Sequence, residues 1–215
     1  RPSRIRTSPY FDSVSTIWVG SGAGVLFRVD SADTDGQEVL HNITGVNFPT
    51  GYLSDIEVGE NEDELIVWFA NYGVSSLWYT SDNGQSWLEK EGDLPDMPVR
   101  SVIINPRDKN NVILGTDLGI WESHNFLDAS PTWAPANNGM PNVRVDQLQL
   151  RKSDYTIMAI THGRGVFTSQ FKGGLSLDES AGGSTNLSLQ VYPNPSNDSI
   201  QLNFKEAGIW EMEVY

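Results

Sequence analysis

The chain has 215 residues, 38% of them apolar, with 20 Gly, 11 Pro, 7 Trp and no Cys, and 28 acidic against 14 basic side chains give it a net charge of −14. The length suits one good core or one and a half domains, and the missing thiols exclude a disulfide scaffold and thiolate metal sites. The acidity argues against nucleic acid or an anionic membrane as partner, since both reward a basic patch, and no apolar run approaches the length of a membrane span.

Taken in chain order, four segments repeat. Ile17-Trp18-Val19-Gly20 runs on to Val25-Leu26-Phe27, and Val67-Trp68-Phe69-Ala70 to Leu77-Trp78-Tyr79. Ile113-Leu114-Gly115 runs on to Gly119-Ile120-Trp121, and Met158-Ala159-Ile160 to Gly165-Val166-Phe167. With Gly20, Ala70, Gly115 and Ile160 as equivalents, the steps are 50, 45 and 45 residues. A period of that length with turn signals inside each unit is what four-stranded propeller blades require.

The first unit has its inner strand at Ile5–Pro9 and a worn turn at Ser31–Gly36. The second runs from Leu53–Val58 through the turn Thr80–Trp87 to Leu88. The third places strands at Val99–Asn105, Asn111–Gly115 and Gly119–Ser123, with Pro106–Asn110 as a turn and an outer strand near Trp133. There Ser123-His124-Asn125 is parted from Thr132-Trp133 by an insertion, and the fourth unit stops after its third strand, at about Phe171. The expected fold is all-β: a partial β-propeller of about three and a half four-stranded blades over residues 1–171. So few blades would leave the ring open and strand edges unpaired, and Arg1 opens the chain without Met, so further blades are expected upstream.

Thr80-Ser81-Asp82-Asn83-Gly84-Gln85-Ser86-Trp87 explains itself physically. The Asp82 carboxylate accepts from backbone N–H groups of the turn, Gly84 supplies a positive φ, and the Trp87 ring swings back to be buried. These residues match the pattern [Ser/Thr]-x-Asp-x-Gly-x-x-Trp, and the repeats resemble the Asp-box propellers of sialidases, sortilin-type receptors and xyloglucanase-type glycoside hydrolases. No Phe-Arg-Ile-Pro motif precedes the box. Phe27-Arg28-Val29-Asp30 is only a partial echo, so sialidase chemistry lacks its anchor.

Residues 172–187 turn to Gly, Ser, Asp, Glu and Ala without alternation and read as a flexible acidic linker. Over 188–215, Leu189-Gln190-Val191-Tyr192, the turn from Pro193, and the alternating Ser199–Phe204 begin an Ig-like sandwich that ends part-way. Val191-Tyr192-Pro193-Asn194-Pro195-Ser196-Asn197-Asp198 resembles the opening of the type A C-terminal sorting domain of the type IX secretion system. That resemblance implies export across the outer membrane of a Gram-negative bacterium, with release or anchoring at the cell surface. Tyr192, Pro193, Asn194 and Pro195 would be the sorting motif.

Propellers bind ligands where inner strands begin and loops converge. That position holds Tyr52, Asp55, Arg100, Arg144 and Asp146, either a site for a sugar or peptide or simply solvated strand ends and inter-blade hydrogen bonds. A glycosidase needs two carboxylates flanking a bond, and Asp55 and Asp146 are the pair to test. The three histidines, His41, His124 and His162, are too scattered for a metal site, and Asp82-Asn83-Gly84 lacks the further ligands of a calcium loop. No metal or cofactor is expected. Tyr10 and Tyr72 sit in loops as further ligand candidates, while the tryptophans recur per blade as packing residues. The function expected is a secreted or cell-surface module that binds a glycan or a surface protein. The alternative is a fragment of a polysaccharide-degrading glycoside hydrolase of xyloglucanase-like type.

Overall fold

The computed structural model describes residues 1–10, 15–137 and 139–171. The linker and the sorting segment with Tyr192, Pro193, Asn194 and Pro195 lie outside the described residues. The described chain forms four antiparallel sheets. The first is β1 (Pro2–Thr7), β2 (Ile17–Ser21), β3 (Leu26–Asp30) and β4 (Val39–Asn42). The second is β5 (Leu53–Val58), β6 (Leu65–Phe69), β7 (Leu77–Thr80) and β8 (Leu88–Glu89). The third is β9 (Val99–Asn105), β10 (Asp108–Thr116), β11 (Gly119–Ser123) and β12 (Ala134–Pro135). The fourth has three strands among the described residues, β13 (Val145–Arg151), β14 (Thr156–Thr161) and β15 (Gly165–Gln170). Each sheet is a meander, and the fold is a partial β-propeller.

The inner strands β1, β5, β9 and β13 lie side by side in succession. Ser3 Oγ donates to Leu53 O at 2.7 Å, and Leu148 N donates to Ser101 Oγ at 2.9 Å, so neighbouring blades are stitched along the axis. Each inner strand also carries a one-residue bulge at the same point. Ser3, Ser54, Arg100 and Asp146 are the extra residues opposite the second strands. A bulge bends its strand and re-aims a side chain, and here it re-aims one per blade.

The bulges fix the repeat. The true equivalents are Gly20, Trp68, Gly115 and Ile160, at steps of 48, 47 and 45 residues. Ala70 is not one of them: it lies beyond β6, in the turn, where its N–H bonds Tyr52 O at 3.3 Å. Two boundaries also move. The first inner strand is Pro2–Thr7 rather than Ile5–Pro9, because pairing with β2 ends at Thr7 and Pro9 has no N–H to continue it. In the third sheet Asp108 already pairs with Asn105, so the turn shrinks to Pro106-Arg107.

The core lies between the blades. Trp18, Leu26, Leu53 and Ile56 join the first and second sheets; Trp68, Leu77, Val99 and Val102 join the second and third; Ile103, Ile113, Val145 and Leu148 join the third and fourth. β6 is buried throughout its sequence Leu-Ile-Val-Trp-Phe because both of its faces meet neighbouring sheets, as in any strand covered on two sides. Tryptophans add a fastening: Trp87 Nε1 donates to Ile43 O at 2.8 Å and Trp133 Nε1 to Lys90 O at 3.3 Å. Each ties one blade to the segment that leaves the outer strand of the blade before it.

Candidate functional site

The antiparallel meander brings the starts of the inner strands and the turns between second and third strands to one face. That face carries a continuous polar rim. Tyr52, just before β5, donates its N–H to Asn71 Oδ1 at 2.7 Å. From the same turn Tyr72 OH reaches Asp117 Oδ2 at 3.4 Å, and Asp117 pairs with Arg100. Beyond Arg100, Asp146 Oδ1 lies 2.7 Å from Arg144 Nε as an ion-pair contact without hydrogen-bond alignment. Arg144 Nη2 also meets His162 Nδ1 at 2.6 Å, while Asp146 Oδ2 lies 3.3 Å from the same nitrogen. An Nδ1 that accepts from Arg144 has no proton for Asp146, so the two contacts require different ring states. Tyr52 is 49% and Tyr72 62% exposed, so both rings are open to a ligand.

Behind the rim a cleft of about 590 Å³ follows the inner strands to their far ends. Arg4, Arg6, Arg100, Lys109 and Lys152 line it against Asp55, Glu57, Glu60, Glu64 and Asp146, so its walls are balanced in charge. Asp55 is held by Arg4 at 2.5 Å and Glu57 by Arg6 at 2.6 Å. Desolvation pushes the Glu57 carboxyl above its usual range, against the pull of Arg6. At the far end Glu64, nearly buried, accepts from Tyr79 OH at 2.7 Å and Glu60 N at 2.8 Å, and Lys109 lies 3.0 Å away. Burial opposes its ionisation, yet those three donors hold the carboxyl below the ordinary range. Tyr10 OH donates to Gly59 O at 2.5 Å and fixes that ring at the cleft wall.

The structure therefore distributes the five expected residues. Asp55, Arg100 and Asp146 line the cleft, while Tyr52 and Arg144 belong to the rim outside that lining. Arg100 and Asp146 are bulge residues, and Asp55 follows one. Sequence reasoning missed Asn71 and Asp117 and set His162 aside as too far from the other histidines for a metal site. Their shared signal is position, since each lies at the first or second residue after the second strand of its blade. The far end, with Glu57, Glu64, Lys109 and Lys152, left no motif. Among the described residues no group of three or more His, Asp or Glu could hold a metal ion.

The Thr80–Trp87 turn lies on the opposite face. Thr80 Oγ1 donates to Asp82 Oδ1 at 2.7 Å and accepts from Asp82 N and Gly84 N. Asp82 in turn accepts from Ser86 N at 2.9 Å and Ser86 Oγ at 2.5 Å. Gly84 has φ +77°, and a Cβ there would stand 2.8 Å from Ile43 Cβ, so both conformation and space demand glycine. The third blade repeats the design with an amide. Asn125 Oδ1 accepts from Ser123 Oγ at 3.1 Å, Thr132 N at 2.9 Å and Thr132 Oγ1 at 3.1 Å.

No family model matches the chain, and no curated protein does. Solved structures do match. A GH74 xyloglucanase from Xanthomonas campestris aligns at 15% identity and TM-score 0.54, over 79% of this chain and 29% of that one. An ancestral GH74 enzyme aligns at 14% and 0.54, over 78% and 22%. The extracellular domain of a one component system from B. thetaiotaomicron aligns at 13% and 0.55, over 80% and 22%. The chain spans less than a third of the length of each. At such identities the likeness shows the fold alone.

Proposed function

We propose that the chain is part of a secreted or cell-surface β-propeller of a Gram-negative bacterium, which binds a glycan or a surface protein across the rim and the cleft behind it without hydrolysing it. The observation that carries this reading is the state of the two carboxylates best placed for acid–base work. Asp55 is held by Arg4 and Asp146 by Arg144, so each is already engaged with an arginine of the protein. A glycosidase needs one carboxyl poised as a proton donor and a second free to act on the sugar. Exposed Tyr rings beside carboxylate–guanidinium pairs suit recognition of hydroxyl, amide and planar groups.

The paired turns at Asp82 and Asn125 support membership of the Asp-box propellers. The segment Tyr192-Pro193-Asn194-Pro195 supports export by the type IX secretion machinery. An extracellular setting agrees with the extracellular domain among the structural neighbours.

The test is a glycan array and a hydrolysis screen on the full-length parent protein. Expected are binding that Arg100→Ala weakens at least about tenfold, as loss of a charge-assisted contact does, and no turnover. Hydrolysis that Asp55→Asn or Asp146→Asn abolishes would overturn the binding reading in favour of a polysaccharide hydrolase.

A further inference from the structure

The turn of residues 70–76, between β6 and β7, is the part of the rim that touches both neighbours. Ala70 and Asn71 bond Tyr52 on one side, and Tyr72 reaches Asp117, the partner of Arg100, on the other. Phe69 N closes the turn onto Ser76 O at 2.9 Å. From outside it is gripped by three carboxylates of the segment that begins with β8. Glu89 Oε1 accepts from Ser75 Oγ at 2.8 Å, Glu91 Oε2 from Ser76 N at 2.5 Å, and Asp96 Oδ1 from Gly73 N at 2.7 Å. Ser76 is wholly buried, so its N–H has no recourse to water if Glu91 moves.

We propose that this turn is a proton-operated latch on the binding rim: neutral Glu91 keeps it clamped, with Tyr72 steadying Asp117 and Arg100, and ionised Glu91 loosens it. The groups facing Glu91 explain why. An ionised carboxylate there is desolvated and meets the like charges of Glu89 and Asp96, with only the Ser76 and Leu77 N–H groups to offset them. Lys90, the adjacent cation, points its ammonium elsewhere, onto Leu127 O at 3.2 Å and Asp128 O at 2.7 Å. Burial first, and then Glu89 and Asp96, push the Glu91 carboxyl up to about 7. A carboxyl raised in the clamped form and ordinary in the released form holds its proton more tightly when clamped. Protonation therefore favours the clamp, which weakens as pH rises from the ordinary carboxyl range to about 7.

The consequence for binding rests on the rim being the binding surface, but the latch can be tested without any ligand. Hydrogen exchange of the Gly73 and Ser76 amides in the full chain, corrected for intrinsic rates, is followed from pH 5.5 to 8.5. Protection is expected to fall at least about tenfold from pH 5.5 to 7 and to level off above it, while Val112 in β10 stays protected. Glu91→Gln should remain clamped throughout. Glu89→Gln, which removes one repulsion, should make the fall level off at a lower pH. Protection at Gly73 and Ser76 that stays flat from pH 5.5 to 7, or that varies equally in Glu91→Gln, would overturn the latch. A working latch in a protein whose rim variants bind normally would leave the latch standing and remove the binding reading instead.

Discussion

Asp82 and Asn125 build one turn from two different side chains, which separates what the turn needs from what charge adds. Both supply an Oδ1 that gathers the hydroxyl before it and the N–H after the loop. Asp82→Ala should therefore cost about 1 kcal/mol by removing the bonds from Thr80 Oγ1 and Ser86, and Asp82→Asn distinctly less; chemical denaturation of the two variants checks this. Burial works against the Asp82 charge, but donors from Ser86, Thr80 and Gln85 outweigh it and hold the carboxyl below its usual range. The extra stability of aspartate over asparagine is thus present above the unfolded value of about 3.9 and lost as pH falls through the lower folded one. Melting curves from pH 7 to 3 should show the wild-type advantage shrinking at the acid end. This turn was legible in the sequence because its bonds are local. What it fastens was not legible, since Trp87 finds Ile43, 44 residues back.

Among the elements, β5 and β9 could be placed to the residue from alternation and flanking turn signals. The bulges could not, since nothing in the local composition distinguishes Arg100 or Asp146 as an extra residue; the pairing partner decides it. For the same reason the second blade's repeat register slipped by two. A small residue, Ala70, looked like the match to Gly20 and Gly115, whereas the structural equivalent is the largest residue available, Trp68. What matters at that position is the room left by the next inner strand. A Cβ on Gly115 would stand 2.8 Å from a Val145 methyl, and one on Gly20 would stand 2.6 Å from a Leu53 methyl. Gly115→Leu should accordingly destabilise by on the order of 1–3 kcal/mol through overpacking, measurable as a lowered denaturation midpoint. The rim of the candidate site was half legible. Inner-strand starts follow from the repeat, but Asn71 and Asp117 enter through turns whose direction depends on the sheet.

For the molecule as a whole, each hydrophobic cluster spans two adjacent sheets. Stability should then behave as a sum over blades and their interfaces, as it does in other repeat architectures. Trp68→Ala, in the cluster between the second and third sheets, should cost about 3–5 kcal/mol. Its loss of hydrogen-exchange protection should appear in β5–β12 while β1–β4 keep most of theirs; an even loss across all sheets would show that the blades are not energetically separate. The charge layout acts at the same scale. The cleft walls balance five cations with five anions, whereas the other described residues carry 16 acidic against 7 basic side chains, so their excess lies outside the cleft. Encounter and retention are thereby governed by different parts of the molecule. Ionic strength will tune how quickly a charged partner arrives through the long-range field of the exterior, and will leave its dwell time in the neutral cleft nearly unchanged.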